Sequence, residues 1–446
     1  MANRRRDDYS DLNRRPAKRR RSHYRVANPG KLVLGGVLVV AIVALAIWGV
    51  TALFGSEGSN PVATNPITTL EPTPTPLADF ITPAPVADTQ PSKFGFSAKM
   101  QMDGQDVDVS SFTRDEPISF GTPETYTNLE GIVTFRSNNF RNTGSYGTVN
   151  MTEKKFDTNF WQVRTGSLPK SSSGAWTGSG WVGQPLLVKW PAETKELMTN
   201  MKEEYRNDPD FVEVIYATMD GKVYFLDLAT GKQSRDSHLN IGMAFKGSGS
   251  IDPSGIPILY LGSGDDLPNK TGRAYIYSLI DFEKLLEFGV KPDPFSERKF
   301  HAYDSSALID SKTGTMIYPG ENGILYTMKI NPRIEEGKVK INPTVQVKWK
   351  YLSSRMKQDV KWEYYYGMED SAVGWKNYIY IADNAGQIQC IDINTMKTVW
   401  VQDTADDTNG SPVMELSEDG TKAYLYIAPS LRVTAKGSGE DRTGTI

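Results

Sequence analysis

The sequence predicts an all-β fold: a β-propeller of roughly six to seven four-stranded blades, preceded by one transmembrane helix and a Pro/Thr-rich linker. Three observations lead there. A short hairpin signature recurs through the C-terminal part of the chain. The composition suits many strands and turns, with 39 Gly, 26 Pro and 11% aromatic residues among 446, since aromatics favour strands and Gly and Pro punctuate them. Charge, apolarity and proline are sorted into separate blocks at the N-terminus.

Residues 1–31 hold eleven Lys and Arg against three Asp, a net charge of +8 with few large apolar side chains. Such a stretch cannot bury a core. Placed directly ahead of an apolar run, it reads as the retention signal of a membrane anchor. Leu32 to Phe54 carries 23 residues with no charge and no proline. As a helix it is about 34 Å long at 1.5 Å per residue, enough to cross a bilayer. The run exceeds the apolar region of a cleaved signal peptide. The basic tail is therefore expected in the cytoplasm and the remainder outside. Residues 55–92 include eight prolines, as in Glu71-Pro-Thr-Pro-Thr-Pro76, and are expected to be a disordered spacer.

Residues 93–446 should form the extracytoplasmic propeller. Asp220-Gly-Lys-Val-Tyr-Phe-Leu-Asp-Leu-Ala-Thr-Gly-Lys232 aligns without a gap to Ala385-Gly-Gln-Ile-Gln-Cys-Ile-Asp-Ile-Asn-Thr-Met-Lys397. Gly221 matches Gly386 and Asp227 matches Asp392; Gly231 supplies the Gly of the Thr-Gly-Lys turn. Weaker copies start at Gly272 and Gly323, and Gly444-Thr-Ile446 resembles the start of another. These glycines step by 51, 51, 63 and 58 residues. Alternating runs precede the copies, such as Val214–Thr218 and Tyr378–Ala382. Upstream lie small-then-apolar runs such as Ser305-Ser-Ala-Leu-Ile309 and Ser411-Pro-Val-Met414. Downstream, Thr398-Val-Trp400 matches Val347-Lys-Trp349 and also Phe160-Trp161. That makes four short strands per repeat. Stacking such sheets radially buries the faces that each alone leaves bare. Trp349 and Trp400 are expected to pack between blades. Ala98–Met102 and Gly131–Phe135 are candidates for strands that close the ring on its last blade.

Composition also excludes chemistry. Cys390 is the only cysteine and His23, His238 and His301 the only histidines, which removes disulfides and leaves no His-rich metal site. No Ser–His–Asp arrangement can be assembled. The net charge of residues 93–446 is −7, which argues against a nucleic-acid partner.

The pattern G-x-[apolar]-[YF]-x-[apolar]-D-x-x-T-G-K, followed by Trp, resembles that of the quinoprotein-like (PQQ-like) β-propellers, over roughly residues 130–446. Thr134-Phe-Arg-Ser-Asn-Asn-Phe-Arg-Asn-Thr-Gly144 is similar to the lead-in such proteins carry before their first blade. Trp176-Thr-Gly-Ser-Gly-Trp-Val-Gly-Gln-Pro185 is similar to the first-blade start of membrane-anchored, envelope-facing bacterial members. The resemblance implies one of two functions. Some members are pyrroloquinoline quinone dehydrogenases; others are scaffolds that bind proteins and catalyse nothing. A quinone stacked on a vicinal Cys–Cys disulfide has no counterpart here, because Cys390 stands alone at an alternating strand position.

Gly178-Ser-Gly-Trp-Val-Gly183 fits a dinucleotide fingerprint but lacks the preceding strand and following helix. Asp403–Gly410 approaches a calcium loop but has Ala405 where an acid is required, and reads as a solvated loop. The residues just before the innermost strands line the mouth of a propeller's central funnel. Here they are Trp181, Gln184, Tyr303, Asp304, Glu369, Asp370 and Asn409, with Trp362-Glu-Tyr-Tyr-Tyr366 leading into one group. Aromatics mixed with acids and amides suit a protein or glycan partner. The expectation is a non-catalytic binding scaffold at the cell envelope, with no catalytic residue, metal or cofactor, and with an envelope protein or cell-wall glycan as partner. The alternative is a membrane-tethered, PQQ- and calcium-dependent oxidoreductase.

Overall fold

The computed structural model describes residues 82–156, 158, 160–180, 183–290, 293–354 and 367–430. The chain divides into two units, Met1–Thr73 and Pro74–Ile446, and every described residue belongs to the second. The basic tail and the apolar segment 32–54 lie outside the described residues. Among the described residues, no helix is long and apolar enough to cross a membrane.

The strands in chain order are β1 (Ser97–Met102), β2 (Gln105–Val107), β3 (Glu130–Ile132), β4 (Ser167–Pro169), β5 (Ala175–Thr177), β6 (Leu186–Lys189), β7 (Glu213–Ala217), β8 (Lys222–Asp227) and β9 (Leu239–Asn240). There follow β10 (Ser250–Ile251), β11 (Ile258–Gly262), β12 (Ala274–Ser278), β13 (Lys284–Phe288), β14 (Leu308–Asp310), β15 (Thr315–Pro319), β16 (Leu325–Lys329), β17 (Arg333–Glu335), β18 (Lys338–Lys340) and β19 (Thr344–Leu352). The last are β20 (Val373–Trp375), β21 (Tyr378–Ala382), β22 (Gln387–Asp392), β23 (Lys397–Asp403), β24 (Val413–Leu416) and β25 (Ala423–Tyr426). Two short helices, α1 (Ala192–Leu197) and α2 (Glu203–Arg206), interrupt the first blade.

The arrangement is an all-β propeller. Blade one is the sheet β3-β6-β7-β8-β9, blade two β10-β11-β12-β13, blade three β14-β15-β16-β19-β1-β2 and blade four β20-β21-β22-β23, while β24-β25 is a separate hairpin. The strands read as continuous apolar runs because both faces are covered. In β11 the pleat sends Ile258 and Tyr260 toward blade three and Leu259 and Leu261 toward blade one. Trp349 is fully buried beside Phe96 and Tyr351. Trp400 is half-buried and joins Tyr380, Cys390 and Met414 between blade four and β24.

The repeat signature marks real turns. Asp227 accepts from Ala229 N at 3.1 Å and from Thr230 Oγ1 at 2.5 Å, and Asp392 accepts from Asn394 N at 2.9 Å. Gly221, Gly323 and Gly386 adopt φ of +83°, +81° and +74°, the left-handed region that a tight hairpin needs. Gly272 departs from this pattern. It ends a long β11–β12 loop, and what it needs is space, since a Cβ there would lie 2.0 Å from the His301 carbonyl oxygen.

The described residues build four blades and the β24–β25 hairpin. Four expectations are corrected. β1 does not close the ring; it extends the outer edge of blade three by pairing with β19. β3 joins blade one beside β6, and Phe160-Trp161 forms no strand. The spacer ends earlier than residue 92, for Ala87–Thr89 and Pro91–Phe94 form 3-10 turns against β23. Pro91 is compatible with such a turn because its fixed φ suits a first helical position.

Two segments ahead of the blades tie them together. After β2, the strap 108–126 buries Phe112, Ile118, Phe120 and Tyr126. Its Arg114 bridges blades three and four, donating to Thr327 Oγ1 at 2.5 Å and to the Ile393 carbonyl at 2.9 Å. Then Val133–Arg141 fills the space that the first strands of the blades share. Backbone oxygens of Val133, Asn139 and Phe140 accept from Ile251 N, Gly374 N and Met414 N at 2.7, 2.9 and 2.9 Å. The fully buried Arg141 donates to the carbonyls of Phe135 and Ala372 at 2.9 and 3.2 Å and to Thr134 Oγ1 at 2.6 Å, with longer bonds to Ser306 and Ala307. Burial lowers its pKa to about 10, well above neutrality, so it stays charged and keeps its donors. Arg141→Met strands several buried acceptors, each worth about 1–3 kcal/mol. The full chain should lose on the order of 3 kcal/mol of unfolding free energy, read by denaturant melts. An unchanged midpoint would contradict the central role of this side chain.

Candidate functional site

Each blade sends two kinds of segment to the same face: the turn between its second and third strands, and the crossover leading to the next blade. Backbone hydrogen bonds stitch these together. Glu321 N donates to the Ala302 carbonyl at 3.1 Å, Met368 N to Gly320 at 3.2 Å, and Asn384 N to Gly367 at 2.9 Å. Charged side chains therefore converge here from several blades.

Lys246, in the crossover from blade one to two, lies 2.8 Å from Asp304 and 3.9 Å from Asp265. Burial works against its charge, but Asp304, Glu321 and Asp265 outweigh that and raise its pKa. Arg298 donates to the Glu321 carbonyl at 3.0 Å and to Asn384 Oδ1 at 2.8 Å. Asn384 in turn donates to Asp407 Oδ1 at 2.8 Å and Asn409 Oδ1 at 2.9 Å. Glu321, on the β15–β16 turn, is 1% exposed. Burial, then the neighbouring Glu369 and Asp304, push its carboxyl well above the usual range. Glu369 is raised too, by burial first and by Asp304, with a hydrogen bond to Glu321 acting in the opposite sense. Glu321 Oε1 and Asp304 Oδ1 have no hydrogen-bond partner.

The residues selected from the sequence separate into three groups. Asp304, Glu369 and Asn409 meet in this cluster, Asn409 exposed and the other two part-exposed. Tyr303 does not line a mouth: it is 1% exposed, its hydroxyl donating to the Gly289 carbonyl at 3.1 Å within the aromatic core of blades two and three. Asp370 is likewise buried and accepts from Ala382 N at 3.0 Å, and burial raises its pKa. Gln184 faces the central segment, accepting from Arg136 N at 3.0 Å. Trp181 and Trp362–Tyr366 lie outside the described residues. Asp403–Gly410 is solvated only in part: Asp403, Ala405, Asn409 and Gly410 are exposed, while Asp406, Asp407 and Thr408 are buried. Attention to the crossovers alone misses Glu321 and Asn384. Both stand two residues before a repeat glycine, Gly323 and Gly386, and that register is the signal that finds them.

Among the described residues, no three His, Cys, Asp or Glu side chains are grouped so as to hold a metal ion. The acids at this face already bear on Lys246 and Arg298. Cys390 is fully buried and packed against Tyr380, and burial raises its thiol pKa. His301 is buried, and His238 is half-buried against Tyr224.

No family model matches the chain, and no curated protein matches it in sequence. Solved structures similar to it include BamB from Moraxella catarrhalis, at 12% identity and a TM-score of 0.34, over 57% of this chain and 64% of that one. Sqt1 from Saccharomyces cerevisiae is similar at 10% identity and 0.34, over 50% and 57% of the two chains. Quinohemoprotein alcohol dehydrogenase from Comamonas testosteroni is similar at 12% and 0.31, over 52% and 41%. The match thus spans less than two thirds of each of these structures.

The raised carboxyls carry a stability cost with a definite sign. A buried acid whose folded pKa lies above its unfolded value binds more protons folded than unfolded, so stability falls as pH rises between the two values. Glu321→Gln removes that loss. The variant should match the native chain near pH 4, close to the unfolded carboxylate pKa, and exceed it increasingly toward neutral pH. Paired melting curves across pH check this; a gap that stays constant would refute the assignment.

Proposed function

We propose that the chain is a membrane-tethered, extracytoplasmic β-propeller acting as a non-catalytic scaffold that binds a protein partner through the face bearing Asp304, Glu321, Glu369 and Asn409. The observation that carries this reading is the convergence of acids, amides and two cations from three blades on one face, with carboxylate oxygens left without partners. A solvated loop collection has no need to bury such groups, and burying them costs stability unless something is gained. The anchor at 32–54, the cytoplasmic tail, the spacer and a ring of six or seven blades belong to the same reading, supported by the apolar run and by the repeat spacing.

Two measurements test it. A membrane-impermeant cross-linker applied to intact cells should couple the full chain to a partner. Combined Asp304→Asn, Glu369→Gln and Asn409→Ala should abolish that product. A product that survives the triple substitution removes this face from the proposal, and cross-linking only after permeabilisation removes the extracytoplasmic placement. Titration of the full chain with pyrroloquinoline quinone and calcium should leave its melting temperature unchanged. A ligand at 100 times its dissociation constant adds about 2.7 kcal/mol, so a calcium-dependent rise would instead favour the oxidoreductase.

A further inference from the structure

We propose that the carboxyl cluster of Glu321, Glu369 and Asp304 recognises a protonated side chain, the guanidinium of an arginine or the ammonium of a lysine, presented by the partner protein. This rests on the scaffold reading and names what its face reads. An acidic cluster is commonly only a solvated surface, but this one is not solvated. Glu321 is 1% exposed, and its Oε1 has no hydrogen-bond partner. Its neighbour Asp304 has only a tenth of its side chain exposed and also holds an oxygen, Oδ1, without a partner. A buried carboxylate oxygen without a donor is destabilising. A donor that arrives with the ligand removes that cost.

The donor should be cationic, organic and directional. The groups facing Glu321 are Lys246 from the crossover between blades one and two, Arg298 and Asp304 from that between two and three, and Glu369 from that between three and four; Asp407, from beyond blade four, faces Glu369. Lys246 is engaged by Asp304, and Arg298 by the Glu321 carbonyl and Asn384. Three carboxyls thus meet around two resident cations, and Glu321 Oε1 and Asp304 Oδ1 stay open. A metal ion would need more convergent ligands than the described residues provide. A guanidinium needs only two or three oxygens and supplies its own fork of donors. Glu369 and Asp304 retain partial exposure, which gives the incoming group a way in.

The carboxyls of Glu321 and Glu369 are both raised by burial and by neighbouring acids. A cation seated against them favours their ionised forms, so affinity should rise with pH.

The probe is N-acetyl-arginine amide, with N-acetyl-citrulline amide as its uncharged isostere, titrated into the full chain by calorimetry in buffers of different ionisation enthalpy. Expected are saturable binding of the arginine compound, none of the citrulline compound, and net release of protons on binding. Glu321→Gln should weaken binding at least about tenfold, the loss of one charge-assisted hydrogen bond. It should do so without loss of fold, since this variant removes a destabilising charge. Equal binding of both compounds, no saturation by either, or unchanged affinity in the Gln variant overturns the proposal. Loss of the cross-linked partner in the triple variant, together with no arginine binding, overturns the cation assignment and leaves the scaffold intact. Arginine binding with an unaltered partner overturns the scaffold's use of this face.

Discussion

A fully buried cation links the first strands of blades three and four to the segment that precedes the blades. Arg141 lies where first strands approach one another, and its guanidinium meets carbonyls belonging to blades three and four as well as its own loop. A planar group with five donors suits this place, because several acceptors from different sheets converge on one point. The backbone of Val133–Arg141 does the same along its length, taking donors from blade two, blade four and β24. Radial stacking of sheets leaves an axial gap that side chains of the strands alone do not fill. Here a segment that precedes the blades in sequence fills it.

That arrangement places the candidate site. With the axis filled, charged side chains gather on the face where turns and crossovers meet. The turns are short because glycines at fixed register allow tight hairpins, so residues two positions earlier project as a matched set. The crossovers bring in Lys246, Asp304, Arg298 and Glu369. Stitching between turn and crossover, such as Asn384 N to the Gly367 carbonyl, makes each blade's contribution depend on its neighbour. The charges are thus a property of the assembled blades. Several are held against their solution preferences, at a cost in stability.

The edge strands follow the same logic. β19 would present an open outer edge, and β1 with β2 covers it. Segment 87–94 lies against the outer strand of blade four. Covering edges in this way limits pairing with other chains.

The sequence by itself determined what repeats. Gly221, Gly323, Gly386, Asp227 and Asp392 announce hairpins because their conformations and caps are local demands that few other residues meet. The near-continuous apolar runs of β7, β11 and β21 announce strands covered on both faces. Asp304 and Glu369 were legible because both sit just ahead of a first strand. Tertiary structure alone decided where non-repeating segments go. Nothing local in Ser97–Met102 distinguishes a closing strand from an added edge strand, since its pairing with β19 is made over some 250 residues of separation. Nothing local marks Tyr303 as core rather than surface, because its neighbours come from another blade. The pairing of Glu321 with Glu369 was equally invisible, for their proximity exists only once blades three and four have packed.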